Sequence, residues 1–448
     1  MLSQSIDLSS YSQAIKHSHW RDAMQTEIQA LKANNTWTLT SLPFGKKPIG
    51  CKWVFKTKLR VDGLIERHKS RLVAKGYTQV EGLNYHDTFA LVAKLVTVCC
   101  VFFIAAARHW HLYQLDVNNA FLHVDLDEEV YMTLPLGYGR KGESRVCRLL
   151  KSLYGLKQAS RNWYSKLSFV LLLTGYSQSD ADHSLFTWTQ GSSITVVLVY
   201  VDDLLIAGND LTIITDLKTF LADQFKLKDL GTLKYFLGLE MARSPSGIFL
   251  SQRKYALDIL ADFGTLGSRP TSCPMKQHLK LTPEDGVLLF DPSPYRRLAS
   301  CPTTRRSTTG FFITLGTNPL SWRTKKQTVV FRSSAEAKYR DMATTTCELV
   351  WIKTLLSDLM VLHPKHIIFY CDNQAALHIT YNPVFHEHTK HIEIDCHYVR
   401  EKFRSDLLMP IHISTQHQIV DIFTKALGKD LVHHFICKLG ITDLHAPT

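Results

Sequence analysis

Tyr200-Val201-Asp202-Asp203 decides the reading of this chain. It follows an apolar run, Ile194-Thr195-Val196-Val197-Leu198-Val199, and precedes another, Leu204-Leu205-Ile206-Ala207, closed by Gly208-Asn209-Asp210. The pattern predicts strand, tight turn, strand, with two adjacent carboxylates on the turn. Adjacent like charges between buried strands are costly unless a cation compensates them, and a hard divalent cation accepts carboxylate oxygens. On its own the pair reads more readily as a plain turn, where Asp is common.

A second acid strengthens the metal reading. Leu112 to Val117 is another strand-like run that carries Asp116 near its end. Two strands that deliver Asp to one sheet edge can hold two Mg²⁺ ions, which activate a hydroxyl and stabilise a leaving pyrophosphate. Taken alone, Asp116 reads as a strand-end cap or a surface ion-pair partner.

The 448 residues suffice for two to four domains, and the apolar content of 45% is that of a globular protein. A formal charge of +12 favours a polyanionic partner. Much of it is concentrated between Lys46 and Lys75, where ten Lys and Arg face only Asp62 and Glu66. There Lys52, Lys56, Lys58 and Arg60 interleave with Trp53, Phe55 and Leu59, Asp62-Gly63 signals a hairpin turn, and the return strand carries Arg67, Lys69, Arg71 and Lys75. A basic hairpin with aromatics suits phosphate contacts, while Lys along a strand also protects a sheet edge. The ten cysteines form no Cys-x-x-Cys pair, which points to reduced thiols in a cytoplasmic or nuclear protein. The N-terminus has no secretory pattern, so secretion is not expected, and no apolar run reaches membrane-span length.

Further elements follow from periodicity. Helices are expected over 20–31, 88–108, 152–174, 211–225, 333–362 and 418–427. Strands are expected at 235–241, 247–251, 310–315, 320–323, 366–370 and 408–414. The order suits an α+β palm-like sheet with helices on one face. Pro270, Pro274, Pro283, Pro292, Pro294 and Pro302 mark a boundary. The expected domains are residues 15–262, a Pro-rich junction 263–301, and a second α/β unit 302–445. His386, His388 and His391 lack His-Glu-x-x-His spacing and read as a solvated loop rather than a zinc site.

Several ordered motifs together resemble the reverse transcriptase–RNase H region of copia-type LTR retrotransposon Pol polyproteins. They are Gly50-Cys51-Lys52-Trp53-Val54-Phe55-Lys56, Arg71-Leu72-Val73-Ala74-Lys75-Gly76-Tyr77-Thr78-Gln79, Gln114-Leu115-Asp116-Val117-Asn118-Asn119-Ala120-Phe121, Leu153-Tyr154-Gly155-Leu156-Lys157-Gln158-Ala159, Tyr200-Val201-Asp202-Asp203 and Tyr235-Phe236-Leu237-Gly238-Leu239-Glu240. The resemblance implies polymerase fingers and palm followed by an RNase H-like domain. It implies RNA-directed DNA polymerase activity using two Mg²⁺, with Mn²⁺ as a substitute. The implied partners are RNA template, DNA primer, RNA/DNA hybrid and dNTPs, in a virus-like particle or the nucleus.

By the same resemblance Asp116, Asp202 and Asp203 are the catalytic, metal-holding carboxylates. Phe121 is the steric gate against a ribose 2′-hydroxyl; ordinary core packing is its other reading. Lys58, Arg71 and Lys75 are triphosphate candidates, Lys157 and Gln158 open a template- and nucleotide-facing helix, and Phe236-Leu237-Gly238 is the primer grip. In the second unit Glu336, Asp372 and Asp421 resemble RNase H carboxylates.

The chain also departs from the pattern. Tyr295-Arg296-Arg297-Leu298-Ala299 runs almost directly into Cys301-Pro302-Thr303-Thr304, without the segment that holds the first RNase H strand and its Asp. Leu91 and Ser160 stand where the family usually has Pro, Val124 where it has Gly, and Lys338 where it has Glu. A defective RNase H is therefore expected. Three functional readings remain, a reverse transcriptase, a non-catalytic remnant that binds nucleic acid, and a host-domesticated binding or regulatory protein.

Overall fold

The computed structural model describes residues 8–59, 64–88, 91–139, 142–245, 247–269, 271, 308–327, 334–381 and 393–441. The hairpin tip at Asp62-Gly63, most of the Pro-rich junction and the His386/His388/His391 cluster lie outside them. The chain divides into two units. The first comprises residues 1–93, 110–179 and 183–233, and the second comprises 94–109, 180–182 and 234–448.

The first unit is built on a six-stranded antiparallel sheet. Its strand order is Leu227–Thr232, His111–Val117, Asp203–Gly208, Ser193–Tyr200, Leu185–Gln190 and Ser177–Gln178. The two strands of the acidic hairpin are central, which explains their unbroken apolar runs: Ile194 to Val199 and Leu204 to Ala207 are buried throughout. Asp210 ends this hairpin and caps the next helix, Leu211–Gln224, by accepting from the N–H groups of Thr212 and Ile213. The helix Ser18–Ala33 buries Trp20, Met24, Ile28 and Leu31, a stripe at helical spacing.

The basic hairpin forms as expected, with Cys51–Leu59 antiparallel to Ile65–Ala74. A three-stranded sheet of Trp37–Thr40, Val146–Leu149 and Tyr131–Met132 was not foreseen. Its strands are short, and two of the three carry no clear alternation.

One expected helix of this unit starts late. The stretch predicted over 152–174 becomes helical only at Ala159–Leu173, because Gly155 sits at φ +91 in the left-handed region. A close backbone approach fixes this turn: a Cβ on Gly155 would lie 2.2 Å from the Ala74 carbonyl oxygen, and one on Gly76 would lie 2.0 Å from the Gly155 oxygen.

In the second unit the expected helix over 88–108 is Leu95–Ala107. The strand pair near 235–251 is three-stranded, Tyr235–Phe236, Leu239–Ser244 and Gly247–Ser251. Beyond the junction, Thr308–Leu315 pairs antiparallel with Asn318–Lys326, and Ile367–Cys371 pairs in parallel with Leu408–His412. Among the described residues these pairs form two separate two-stranded sheets. Ser334–Asp358 is the long helix, whereas the helix expected over 418–427 is a single turn, Asp421–Thr424. Helices Gln374–Tyr381, Glu393–Arg404 and Lys429–Lys438 went unread because their apolar stripes are short and polar residues dominate their ends. The architecture is α+β. Among the described residues no helix is long and apolar enough to cross a membrane.

Candidate active site

The carboxylates meet where three elements of the first unit converge. Asp203 stands directly opposite Asp116 in the antiparallel pair, which puts both side chains on one face of the sheet. Asp202 sits in the two-residue turn between the hairpin strands. Its carbonyl oxygen accepts from the Val117 N–H at 2.8 Å, which ties the turn to the neighbouring strand.

Val201, the first residue of that turn, has φ +53. Tight hairpins need this conformation, but a β-branched side chain disfavours it. The buried Trp163 supplies a restraint: its indole N–H donates to the Val201 carbonyl at 2.7 Å. Phe225 packs edge-on against the indole at 5.0 Å and holds it in place.

Burial raises the Asp202 carboxyl above its usual range and the charge on Asp116 adds to this, while Arg71 and Lys69 oppose it. Asp203 is likewise raised, first by burial and then by the charges on Asp202 and Asp116. A hydrogen bond from Gln114 Nε2 at 3.1 Å opposes that shift. Among the described residues no ion pair neutralises any of the three acids.

An aromatic and cationic stack adjoins them. The Arg71 guanidinium lies 4.2 Å over the Tyr154 ring, and Phe121 meets the same ring edge-on at 4.7 Å. Burial pushes the Tyr154 hydroxyl up to about 12, with Arg71 opposing and Asp202 and Asp116 adding. Arg71 Nε and Tyr154 Oη are buried without a hydrogen-bond partner among the described residues. Buried orphan polar groups are costly and demand an explanation, such as a ligand or ion.

Of the other sequence candidates, Lys75 lies against Gly50 and its charge acts on Cys51, while Lys58 stands opposite Arg67. Lys69, read in sequence as part of the basic hairpin but not as a triphosphate candidate, joins Arg71 in acting on Asp202. Lys157 and Gln158 precede the helix and are committed inside the fold. The Lys157 ammonium donates to Tyr85 Oη at 3.0 Å and to the Gln79 carbonyl at 3.3 Å. Gln158 is only 1% exposed, donating to the Asn84 carbonyl at 3.0 Å and accepting from Gln79 Nε2 at 3.1 Å. Its side chain is thus engaged by Asn84 and Gln79 within the fold. Trp163 went unread, because an isolated aromatic carries no distinguishing sequence signal, and Tyr154 and Gln114 stood inside quoted motifs without being given a role of their own.

In the second unit Phe236 is buried, and Leu237 (φ +51) and Gly238 (φ +83) make a tight turn to Leu239. A separate acidic group surrounds Lys338. Its ammonium is 3.0 Å from Asp372 Oδ1 without a hydrogen-bonding angle, so the contact is a charge pairing. Lys425 donates to the buried Asp421 at 2.8 Å and stands 3.9 Å from Asp372. Asp341, pushed up to about 6 chiefly by burial, accepts from the Gly310 N–H at 3.1 Å. Burial opposes the Lys338 charge, yet Asp372 and Asp341 together hold its pKa above the usual lysine range. Among the described residues no group of three or more His, Cys, Asp or Glu side chains is arranged to hold a metal ion.

Residues 34–277 match the family described as reverse transcriptase (RNA-dependent DNA polymerase). The chain is 38% identical over 501 residues to the retrovirus-related Pol polyprotein from transposon RE1 of Arabidopsis thaliana, covering 96% of this chain and 34% of the relative. It is 32% identical to the Pol polyprotein from transposon TNT 1-94 of Nicotiana tabacum, covering 91% and 37%. The chain thus spans about a third of the length of these curated relatives. A foamy viral protease-reverse transcriptase in complex with RNA/DNA hybrid is 10% identical, covering 89% of this chain and 54% of that one, with a TM-score of 0.44.

Proposed function

Since the chain belongs to the reverse transcriptase family of copia-type retrotransposon Pol polyproteins, we propose that it is a working RNA-directed DNA polymerase whose chemistry centres on Asp116 and Asp202. One observation carries this reading. The charge on half-buried Asp116 acts on half-buried Asp202, and no described ion pair neutralises either acid. Uncompensated acids of this kind are costly to keep unless a cation binds.

The donor set fits a divalent cation in kind, since carboxylate oxygens are hard ligands. Asp116 and Asp202 would hold it. Asp203 is engaged by Gln114 and would serve the rim of the site. When bound, such a cation supplies the charge that favours an alkoxide at the primer 3′-hydroxyl and offsets charge on the departing pyrophosphate.

The chain's own residues do the rest. Arg71 and Lys69 bring positive charge beside Asp202, suited to the phosphates of an incoming dNTP. Phe121, braced by Tyr154, presents bulk where a ribose 2′-hydroxyl would have to fit. Trp163 fixes the turn that carries Asp202. The basic hairpin offers Lys52 and Lys56, both exposed, to a nucleic-acid backbone. Phe236-Leu237-Gly238 remains the proposed primer grip.

The C-terminal unit is proposed to be an RNase H-like remnant lacking its first strand. Its separate strand pairs support this. So does the alignment with the Arabidopsis relative. It extends over 501 residues although 96% of a 448-residue chain is far fewer, so the relative has several tens of positions without a counterpart here. The same shortfall favours, as the second reading, a chain that binds nucleic acid without polymerising. Incorporation of dNTP onto a DNA primer annealed to RNA, with Asp116→Asn as control, separates the two. Incorporation that this variant lacks supports the polymerase, and none from a folded, binding-competent chain supports the remnant.

A further inference from the structure

The two acidic groups of this chain differ in one respect. Among the described residues, Asp116, Asp202 and Asp203 have no lysine or arginine in an ion pair. Asp372 and Asp421 have two lysines between them. The Lys338 ammonium lies 3.0 Å from Asp372 Oδ1, and the Lys425 ammonium reaches Asp421 at 2.8 Å and Asp372 at 3.9 Å. Asp421 is 1% exposed and Asp372 is largely buried. A buried acid requires a counter-charge, and here covalently attached ammonium groups provide it.

A divalent cation does not fit alongside them. It would bring its charge next to Lys338, and it needs several oxygen donors at short range. Both Asp372 oxygens and Asp421 Oδ2 stand within ion-pair reach of an ammonium group, which leaves Asp421 Oδ1, buried and without a hydrogen-bond partner among the described residues, too few neighbours to complete a cation's shell. Asp341 is likewise occupied, accepting from the Gly310 N–H on the strand Thr308–Leu315. The short helix bearing Asp421 packs over the same strand, with Phe423 stacked on Phe312 at 6.0 Å. These contacts hold the acidic group to its surroundings through the chain's own residues.

We infer that Lys338, assisted by Lys425, is the built-in counter-ion of this second acidic group, which has become an ion-pair lock and takes no divalent cation. The inference rests on reading the C-terminal unit as an RNase H-like remnant, whose acids would otherwise be metal ligands. It concerns a different unit from the proposed polymerase site, so a binding readout separates the two.

The test counts Mn²⁺ ions bound to the full chain by electron paramagnetic resonance titration. Wild type and Asp372→Asn are expected to bind the same number, because Asp372 holds none. Loss of one bound equivalent in Asp372→Asn overturns the inference. Thermal unfolding in EDTA provides the second arm, and it stands if Asp372→Asn does not fold. Lys338→Met is expected to lower Tm by several degrees, since it strands a buried carboxylate. An unchanged or raised Tm means that the ammonium is not the counter-ion and overturns the inference. Neither readout depends on primer extension, so failure of the polymerase reading would be seen separately, in the incorporation assay.

Discussion

The indole N–H of Trp163 donates to the carbonyl oxygen of Val201 at 2.7 Å, joining a buried helix residue to the turn that carries Asp202. Val201 holds φ +53, a conformation a β-branched residue adopts at a cost. Trp163→Phe keeps most of the packing and removes the donor. It should lower stability by about 1–3 kcal/mol, the range for a buried acceptor left unpaired. It should also lower kcat by roughly tenfold to a hundredfold, as small misplacements of reacting groups do, with little effect on nucleic-acid affinity. Urea titration, extension kinetics and a binding isotherm check the three parts. A variant with unchanged kcat would remove Trp163 from any positioning role.

The raised pKa of Asp202 has a definite sign in stability. Burial and the Asp116 charge place the folded value above the unfolded one. Ionisation is therefore less favourable in the native state, and stability falls as pH rises from the ordinary Asp range through the raised value. Asp202→Asn removes that loss. In EDTA the variant should be more stable than wild type at pH 7, and the difference should shrink as pH is lowered through the ordinary Asp range. Denaturant midpoints across pH measure it, and a difference that grows at low pH would be the wrong sign.

Gly76 and Gly155 bring two backbone segments into contact. A Cβ at either position would lie about 2 Å from a carbonyl oxygen, and Gly155 also needs its left-handed φ of +91. Neither obstacle is a flexible side-chain end. Gly155→Ala should cost several kcal/mol, on the order of 3 or more, since strain and overpacking add. Thermal or urea unfolding checks this, and a loss below about 1 kcal/mol would show that the segments separate easily.

Phe121 and Tyr154 meet edge-on at 4.7 Å, so Tyr154 fixes the Phe121 ring. Phe121→Ala should raise the efficiency of ribonucleotide incorporation relative to deoxynucleotide by at least tenfold, with a smaller loss for the deoxynucleotide. Competition between rNTP and dNTP at one template position measures the ratio. An unchanged ratio would assign Phe121 to packing alone.

Legibility in the sequence varied with the kind of interaction. The acidic hairpin was readable because its strands are central and apolar on both faces, so that a charged pair between them stands out. The basic hairpin was readable from alternation. The Leu112–Val117 strand was readable from its short apolar run, whereas the register that sets Asp116 opposite Asp203 became visible only in the paired strands. The supporting groups were not readable. Trp163, Tyr154 and Gln114 act through long-range proximity, and a single aromatic or amide looks the same whether it packs or positions. The helix start was not readable, because the expected span from 152 ignored a turn set by a backbone contact between Gly155 and Ala74, so that Gln158 caps a helix beginning at Ala159. Lys338 was visible as a departure from the family pattern, but its pairing with Asp372 became visible only in three dimensions.

The most direct measurement is Mg²⁺-dependent extension of a DNA primer on an RNA template by the purified chain, with Asp202→Asn alongside and nucleic-acid binding measured for both. The account predicts extension by the wild type and none by the variant, at comparable affinity for the primer–template. Extension at equal rates by both, or none from a folded wild type that binds the duplex, would contradict it.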